Sequence, residues 1–334
     1  MHKLFKSKTF KVTTAVLIVL LCAVAYIWIQ ESRPKILEMW VIQLKGSQAI
    51  FIRTPNDKRV LIDGGPNSDI VRVITKILPF YSRRIDTIIS TDTDDKNVSG
   101  LVDILERYKV ENLIVPAISL QSLNLASTTG GAYDSLLDTA QRKAIKIDYQ
   151  GSTLPGGPTS RKDSASSTAF GNDGIADSII IDDGSVDNKR PVSISFLFPV
   201  PQGSFQYSKA SSPQLIMRIA YGNKPFLLIG NASTKIQKDI ASRKIGNTSV
   251  LIVSFNPTSD SISKELADDT HSHYLIYSKS LTAVSRPSKS ESVSSKDKKI
   301  DPFYWIMDSD RYNVREKGVV KIVSDGEKLQ FFGQ

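Results

Sequence analysis

Cysteine is nearly missing from this chain, with one, Cys22, in 334 residues. A single thiol closes no disulfide within the chain and builds no thiolate metal site. Histidine is almost as scarce. The three present, His2, His271 and His273, are too few for a set of imidazoles around two metal ions. His271 and His273 form a lone H-x-H with no third ligand nearby, which reads as a loop or strand-edge feature. No G-x-S-x-G elbow occurs, so nothing supports a nucleophilic serine. Acidic residues are absent before Glu31, and no charge of either sign falls between Val12 and Gln30.

That last absence predicts a membrane helix over 12–30, because 19 uncharged residues come close to the roughly 20 that cross a bilayer. Tyr26 and Trp28 suit the interfacial aromatic belt. Lys3, Lys6, Lys8 and Lys11 before the run, against Arg33 and Lys35 after it, put the N-terminus inside and the bulk of the chain outside. The competing reading is a cleaved signal peptide, for which Ala23-Val24-Ala25 supplies a small-x-small pattern. Against it, the apolar stretch continues through Tyr26-Ile27-Trp28-Ile29. Leu21 before Cys22 does not suit a lipidation site. The expected organisation is a basic cytoplasmic terminus (1–11), a transmembrane helix (12–30), a linker (31–38) and one extracytoplasmic domain (39–334) at the cell membrane.

With 40% hydrophobic residues and 23% charged ones, the remainder can bury a large core and is ordinary globular material. The formal charge is +9; removing the four N-terminal lysines leaves 9 − 4 = +5, a mild excess that favours anionic partners weakly. Three strand-like segments (Met39–Leu44, Ala49–Arg53, Arg59–Ile62) precede Asp63-Gly64-Gly65-Pro66. Asp63 there reads as organising a turn, with the glycines allowing positive φ. A helix opened by Ser68 or Asp69 follows, with Ile70, Val71, Val73, Ile74, Ile77 and Leu78 on one face. Then come strand Thr87–Ser90, helix Leu101–Tyr108 and strand Asn112–Val115. Loop insertions are expected near 151–190 and 278–300, both rich in small polar residues. Between and after them lie strands Val192–Phe198, Gln214–Ala220, Pro225–Leu228, Val250–Val253, Phe303–Met307, Val319–Val323 and Leu329–Phe332. Helices start near Ser233 and around Ile262–Ala267. The block order predicts an α/β fold of two packed sheets with outer helices, in four αββα layers.

Several segments in this order resemble the metallo-β-lactamase-fold domain of ComEC-type DNA-uptake (competence) proteins, from about Met39 to Phe332. They are Ile52-Arg53-Thr54-Pro55, Leu61-Ile62-Asp63-Gly64-Gly65-Pro66, Leu78-Pro79-Phe80, Arg84-Ile85-Asp86 and Ser99-Gly100-Leu101. Leu215–Arg218, Tyr221-Gly222, Phe226-Leu227-Leu228-Ile229-Gly230, Gly318-Val319-Val320 and Ser324-Asp325-Gly326 continue the series. The resemblance implies a two-metal hydrolase cleft, and this chain departs from it at the ligand positions. Asp92 stands at the first histidine and Asp94 at an aspartate. Lys96 replaces the second aspartate and Asn97 the last histidine. Asn231 takes the place of the bridging aspartate, Phe255-Asn256 that of paired histidines, and Arg286 that of a late histidine. These eight are the former metal-cleft positions.

A cation at 96, a ring at 255 and a neutral amide at 231 remove the ligands that would activate water. The expectation is a pseudoenzyme without metal or other cofactor, zinc least of all, that binds or scaffolds at the envelope. Lys96, Asn97, Asn231 and Arg286 are then candidates for anion binding, with nucleic acid or another polyanion as partner. The alternative is a hydrolase or nuclease with a rebuilt carboxylate site at Asp92, Asp94 and Asp95 taking Mg²⁺ or Ca²⁺.

Overall fold

The computed structural model describes residues 8–31, 36–116, 131–150, 178–184, 190–198, 214–254, 262–278 and 310–333, with side chains on the first helix described for 11–22, 24 and 25. The chain divides into two units, Met1–Lys35 and Ile36–Gln334.

The first unit is helix α1 (Lys8–Glu31). Val12, Val16, Leu17, Ile18, Val19, Leu20, Leu21 and Val24 are all exposed on it. Six consecutive positions at about 100° each turn through every face, so the apolar surface runs all round. Among the described residues no helix is long and apolar enough to cross a membrane.

The second unit holds two mixed sheets. The first contains β1 (Leu37–Leu44), β2 (Ser47–Arg53), β3 (Arg59–Ile62), β4 (Arg84–Ile89), β5 (Lys109–Pro116), β6 (Lys146–Gln150), β14 (Val319–Ser324) and β15 (Leu329–Gly333), in the order β15-β14-β1-β2-β3-β4-β5-β6. The second contains β7 (Ser178–Asp182), β8 (Val192–Phe198), β9 (Ile216–Tyr221), β10 (Phe226–Gly230), β11 (Val250–Ser254), β12 (Tyr274–Ser278) and β13 (Asp310–Asn313), in the order β13-β12-β11-β10-β9-β8-β7. In each sheet an antiparallel meander leads into parallel strands: β1-β2-β3 into β4-β5-β6, and β7-β8-β9-β10 into β11-β12-β13. The second sheet thus loosely repeats the plan of the first.

Alternation decides which side chain goes where. Leu37, Met39 and Val41 of β1 join Ile194, Met217 and Ile252 of the other sheet in a shared core. Trp40, Ile42 and Leu44 point the other way, under α2 (Asp69–Ile77), α3 (Asp95–Arg107) and α4 (Ala132–Arg142). A third cluster sits between the second sheet and α5 (Thr234–Ser242) and α6 (Lys264–Thr270). A single turn, α7 (Val314–Lys317), precedes β14. The layers are helix, sheet, sheet, helix, as expected.

Several boundaries differ from the sequence reading. Helix α3 begins at Asp95, six residues before Leu101. Its opening Asp95-Lys96-Asn97-Val98-Ser99-Gly100 is polar and glycine-bearing, which hides the helical period, yet Val98 and Gly100 are buried. Helix α4 and strand β6 were not expected, and neither was β12, whose Tyr-Leu-Ile-Tyr-Ser is too short to declare a period. The expected strand Phe303–Met307 lies outside the described residues. So does most of the two loop insertions, apart from β7, which falls on Ile179–Ile181 as the apolar run implies. His271 is the left-handed C-cap of α6 (φ 43°), and His273 is exposed beside it.

Candidate functional site

Parallel neighbours β3 and β4 run the same way, so the segments that leave them emerge side by side. After β3 the chain takes positive φ at Asp63 (59°) and Gly65 (75°). An aspartate tolerates this region because its short polar side chain can bond locally. Here the bond is to the neighbouring segment: the Asp63 carboxylate accepts the Thr91 amide at 2.8 Å and the Thr91 hydroxyl at 2.6 Å. Of the two glycines expected to allow positive φ, Gly65 does so, Asp63 itself adopts it, and Gly64 has another role.

Gly64 and Gly65 both donate their amides to the Asn97 carbonyl, at 2.7 and 3.1 Å, while Gly100 donates to the Gly65 carbonyl at 2.9 Å. The loop after β3 therefore lies directly against the first turns of α3. A Cβ on Gly100 would stand 2.0 Å from the Gly64 carbonyl oxygen, and one on Gly64 would stand 2.5 Å from the Leu101 nitrogen. Both glycines are required for close approach.

The segment after β4 is held by its own polar groups. Ser90 Oγ donates to the Asp92 carbonyl at 2.8 Å. Asp92, only 5% exposed, accepts the Asp94 amide on Oδ1 (3.0 Å) and the Asn97 side-chain amide on Oδ2 (2.6 Å). Asn97 Oδ1 in turn accepts the Ser47 hydroxyl at 2.6 Å. Asp94 caps the helix by position but makes no side-chain capping bond, and its carboxylate meets Lys96 Nζ at 2.9 Å. Asp95 faces away and accepts the Ala132 amide at 2.9 Å, at the start of α4. The Thr91 carbonyl accepts the Leu215 amide at 2.6 Å, which ties this junction to the segment entering β9.

Two carboxyls with raised pKa result. Burial, and then the Asp92 charge beside it, push Asp63 up to about 8 against the opposing Thr91 hydrogen bonds. Burial, and then Asp94, push Asp92 up to about 6, opposed by the Asp94 amide, Asn97 and Lys96. Sequence reasoning treats Asp63 as a turn residue. Its pairing with Asp92 needs the β3–β4 adjacency, although a strand ending in Asp-Gly-Gly hinted at a constrained acid.

Of the eight positions expected to be former metal-cleft positions, Asp92, Asp94, Lys96 and Asn97 come together at the β4–α3 junction. Asn231 follows Gly230 (φ 51°) at the end of β10, with its side-chain oxygen buried and accepting no hydrogen bond from the described residues. Phe255, Asn256 and Arg286 lie outside the described residues. Of the carboxylate alternative, Asp92 accepts from the Asp94 amide and Asn97, Asp94 meets Lys96, and Asp95 accepts from the Ala132 amide. Among the described residues no three His, Cys, Asp or Glu side chains are grouped to hold a metal ion. The residues present also do not fit a pair of zinc ions. Where zinc would need imidazole nitrogens, the junction offers the Asn97 amide, turned to Asp92, and the Lys96 ammonium, which lies against Asp94.

No family model and no curated protein matches the sequence. Solved structures it is similar to include proteins described as having the metallo-β-lactamase fold or as metallo-β-lactamases. The metallo-β-lactamase fold protein YhfI from Bacillus subtilis is 10% identical, with a TM-score of 0.41 over 72% of this chain and 85% of that one. A diphosphatase from the PhnP family is 11% identical, with a TM-score of 0.39 over 72% and 85%. A metallo-β-lactamase mutant from Cronobacter sakazakii is 10% identical, with a TM-score of 0.36 over 66% and 77%.

Proposed function

We propose that this chain is a membrane-anchored, extracytoplasmic domain of metallo-β-lactamase-like αββα architecture, degenerate at its metal motifs, that binds or scaffolds at the cell envelope rather than hydrolysing. One observation supports the reading: the Asn97 side-chain amide donates to the Asp92 carboxylate and the Lys96 ammonium lies against Asp94, so a neutral donor and a cation stand where a hydrolase would present ligands to a metal. Hydrogen bonds and the Lys96–Asp94 ion pair hold together the end of the sheet where ligands bind in open α/β folds. Lys96, whose side chain is 45% exposed beside its partner Asp94, is the candidate contact for a polyanion such as DNA, in keeping with the resemblance to competence-type proteins. Retention of single- or double-stranded DNA in a gel-shift assay at about 50 mM salt, weakened by Lys96→Glu, is the expected result. No retention of either would dispose of the polyanion part.

The anchor rests on the uncharged run Val12–Gln30, on its helical backbone within α1, and on apolar side chains exposed all round that helix. The full chain should stay with membranes after extraction at alkaline pH. Leu20→Arg, at the centre of the run, should release most of it, since a central arginine costs about 2.5–3.5 kcal/mol. Complete release of the unaltered chain would contradict the anchor.

A further inference from the structure

Strand β1 is antiparallel to β2 and β2 to β3, so β1 runs parallel to β3, β4, β5 and β6. Leu37, where the chain enters the second unit, therefore lies at the sheet end where those strands begin. The Asp63–Asp92 junction is at the opposite end. The entry end is basic: β3 to β6 begin with Arg59, Arg84, Lys109 and Lys146.

Between α2 and β4, at this end, the turn Pro79–Ser82 carries the two most exposed aromatic side chains of the described residues, Phe80 at 92% and Tyr81 at 71%. The turn is built rather than loose. Ser82 donates its amide to the Pro79 carbonyl at 2.9 Å, and the buried Arg59 guanidinium bonds the Ser82 hydroxyl and, at 3.2 Å, the Arg84 carbonyl. The two rings meet edge to face with centroids 5.4 Å apart. Lys109 donates its amide to the Arg83 carbonyl at 2.8 Å, which places exposed Arg83 beside exposed Lys109. A buried aromatic side chain is stabilised by roughly 1.5–3 kcal/mol relative to an exposed one, so two adjacent rings held in water on a pinned turn point to a partner.

We propose that the turn 79–83 is a lipid-contact site: Phe80 and Tyr81 enter the interface of an anionic bilayer while Arg83 and Lys109 meet its phosphates, the neighbouring Arg84 being paired with Asp86 at 2.9 Å. The rings top an exposed turn instead of lining a groove, which favours lipid over nucleic acid, and the flanking basic side chains suit anionic headgroups. With that turn on the bilayer, the Asp63–Asp92 junction, at the other end of the strands, faces away from it.

The test uses the full chain with Cys22→Ala, which leaves no other thiol, carrying an environment-sensitive fluorophore on Phe80→Cys or, at the opposite end, on Ser68→Cys. Proteins are placed in phosphatidylcholine vesicles with or without about 30% phosphatidylglycerol, and alkaline extraction establishes first whether α1 is inserted. In anionic vesicles the label at position 80 should shift to the blue, and nitroxide-bearing lipids should quench it about threefold or more relative to position 68. Arg83→Ser should reduce the difference. Equal access of aqueous iodide to both positions in extraction-resistant vesicles overturns the proposal. If extraction removes the chain, the anchor reading fails by itself. The surface is then tested by flotation: co-flotation with anionic vesicles that is lost in Phe80→Ser supports it, and no flotation overturns it. A label at position 80 that responds to single-stranded DNA but not to vesicles also overturns it, in favour of a nucleic-acid platform.

Discussion

Gly100→Ala is expected to cost about 3 kcal/mol or more, because the added methyl would stand 2.0 Å from the Gly64 carbonyl oxygen and 2.6 Å from that of Asn67. Both obstacles are backbone, so no rotamer change relieves them. Moving α3 outward would break the amide bonds from Gly64 and Gly65 to Asn97 and from Gly100 to Gly65, and with them the geometry around Asp92. Gly46 is the useful comparison. It has φ 75° with nothing within 4 Å of a Cβ, so Gly46→Ala meets only the left-handed backbone penalty of about 1–2 kcal/mol. Urea midpoints followed by circular dichroism should therefore rank wild type above Gly46→Ala and both well above Gly100→Ala. A Gly100→Ala midpoint equal to that of Gly46→Ala would contradict the clamp between the β3 loop and α3.

The second large effect is a loss of stability with rising pH. Asp63 and Asp92 both bind protons more tightly folded than unfolded, because burial and neighbouring carboxylates raise them to about 8 and about 6 from 3.8. Their contribution is fully present below the unfolded value of 3.8. It is lost as pH climbs through the folded values, since the native state must then hold two charges that the unfolded chain carries in water. Asp63→Asn removes one of those charges while keeping an acceptor for the Thr91 amide and a residue suited to φ 59°. Between about pH 5 and 8 the wild type should lose roughly a few kcal/mol more than Asp63→Asn. Asp63→Ala should instead be weaker at every pH, by about 1–3 kcal/mol, because it leaves the Thr91 amide without its partner. Parallel pH profiles for wild type and Asp63→Asn would mean that Asp63 is charged and accommodated in the fold.

The architecture was legible because its signals are local and repeated. Alternating apolar residues in Leu37–Leu44 and Ser47–Arg53, Gly-Gly after β3 and the amphipathic face of Ile70 and Ile74 each announce an element and its buried side. The missing histidines were equally plain. What stayed hidden depends on neighbours remote in sequence: the Asp63–Asp92 pairing, the Ser47–Asn97 bond across 50 residues and the Asp95 cap on α4. The start of α3 was hidden for a different reason: its first turn is polar outside and packs against the chain through glycine, so it has no hydrophobic period to read. Asn97 shows the difference most clearly. From the sequence it is expected to stand in for a metal ligand, while the structure makes its side chain the bridge between Ser47 and Asp92, and its carbonyl the acceptor for both glycines.

The claim that hydrogen bonds have replaced metal at this junction is tested most directly by metal content. The full chain would be incubated with Zn²⁺, Mn²⁺, Mg²⁺ and Ca²⁺ in turn, dialysed, and measured by elemental mass spectrometry beside its thermal unfolding. The account predicts well under about one ion per chain and an unchanged midpoint with each metal. Retention of about one or two ions per chain, with a raised midpoint that Asp92→Ala abolishes, would contradict it.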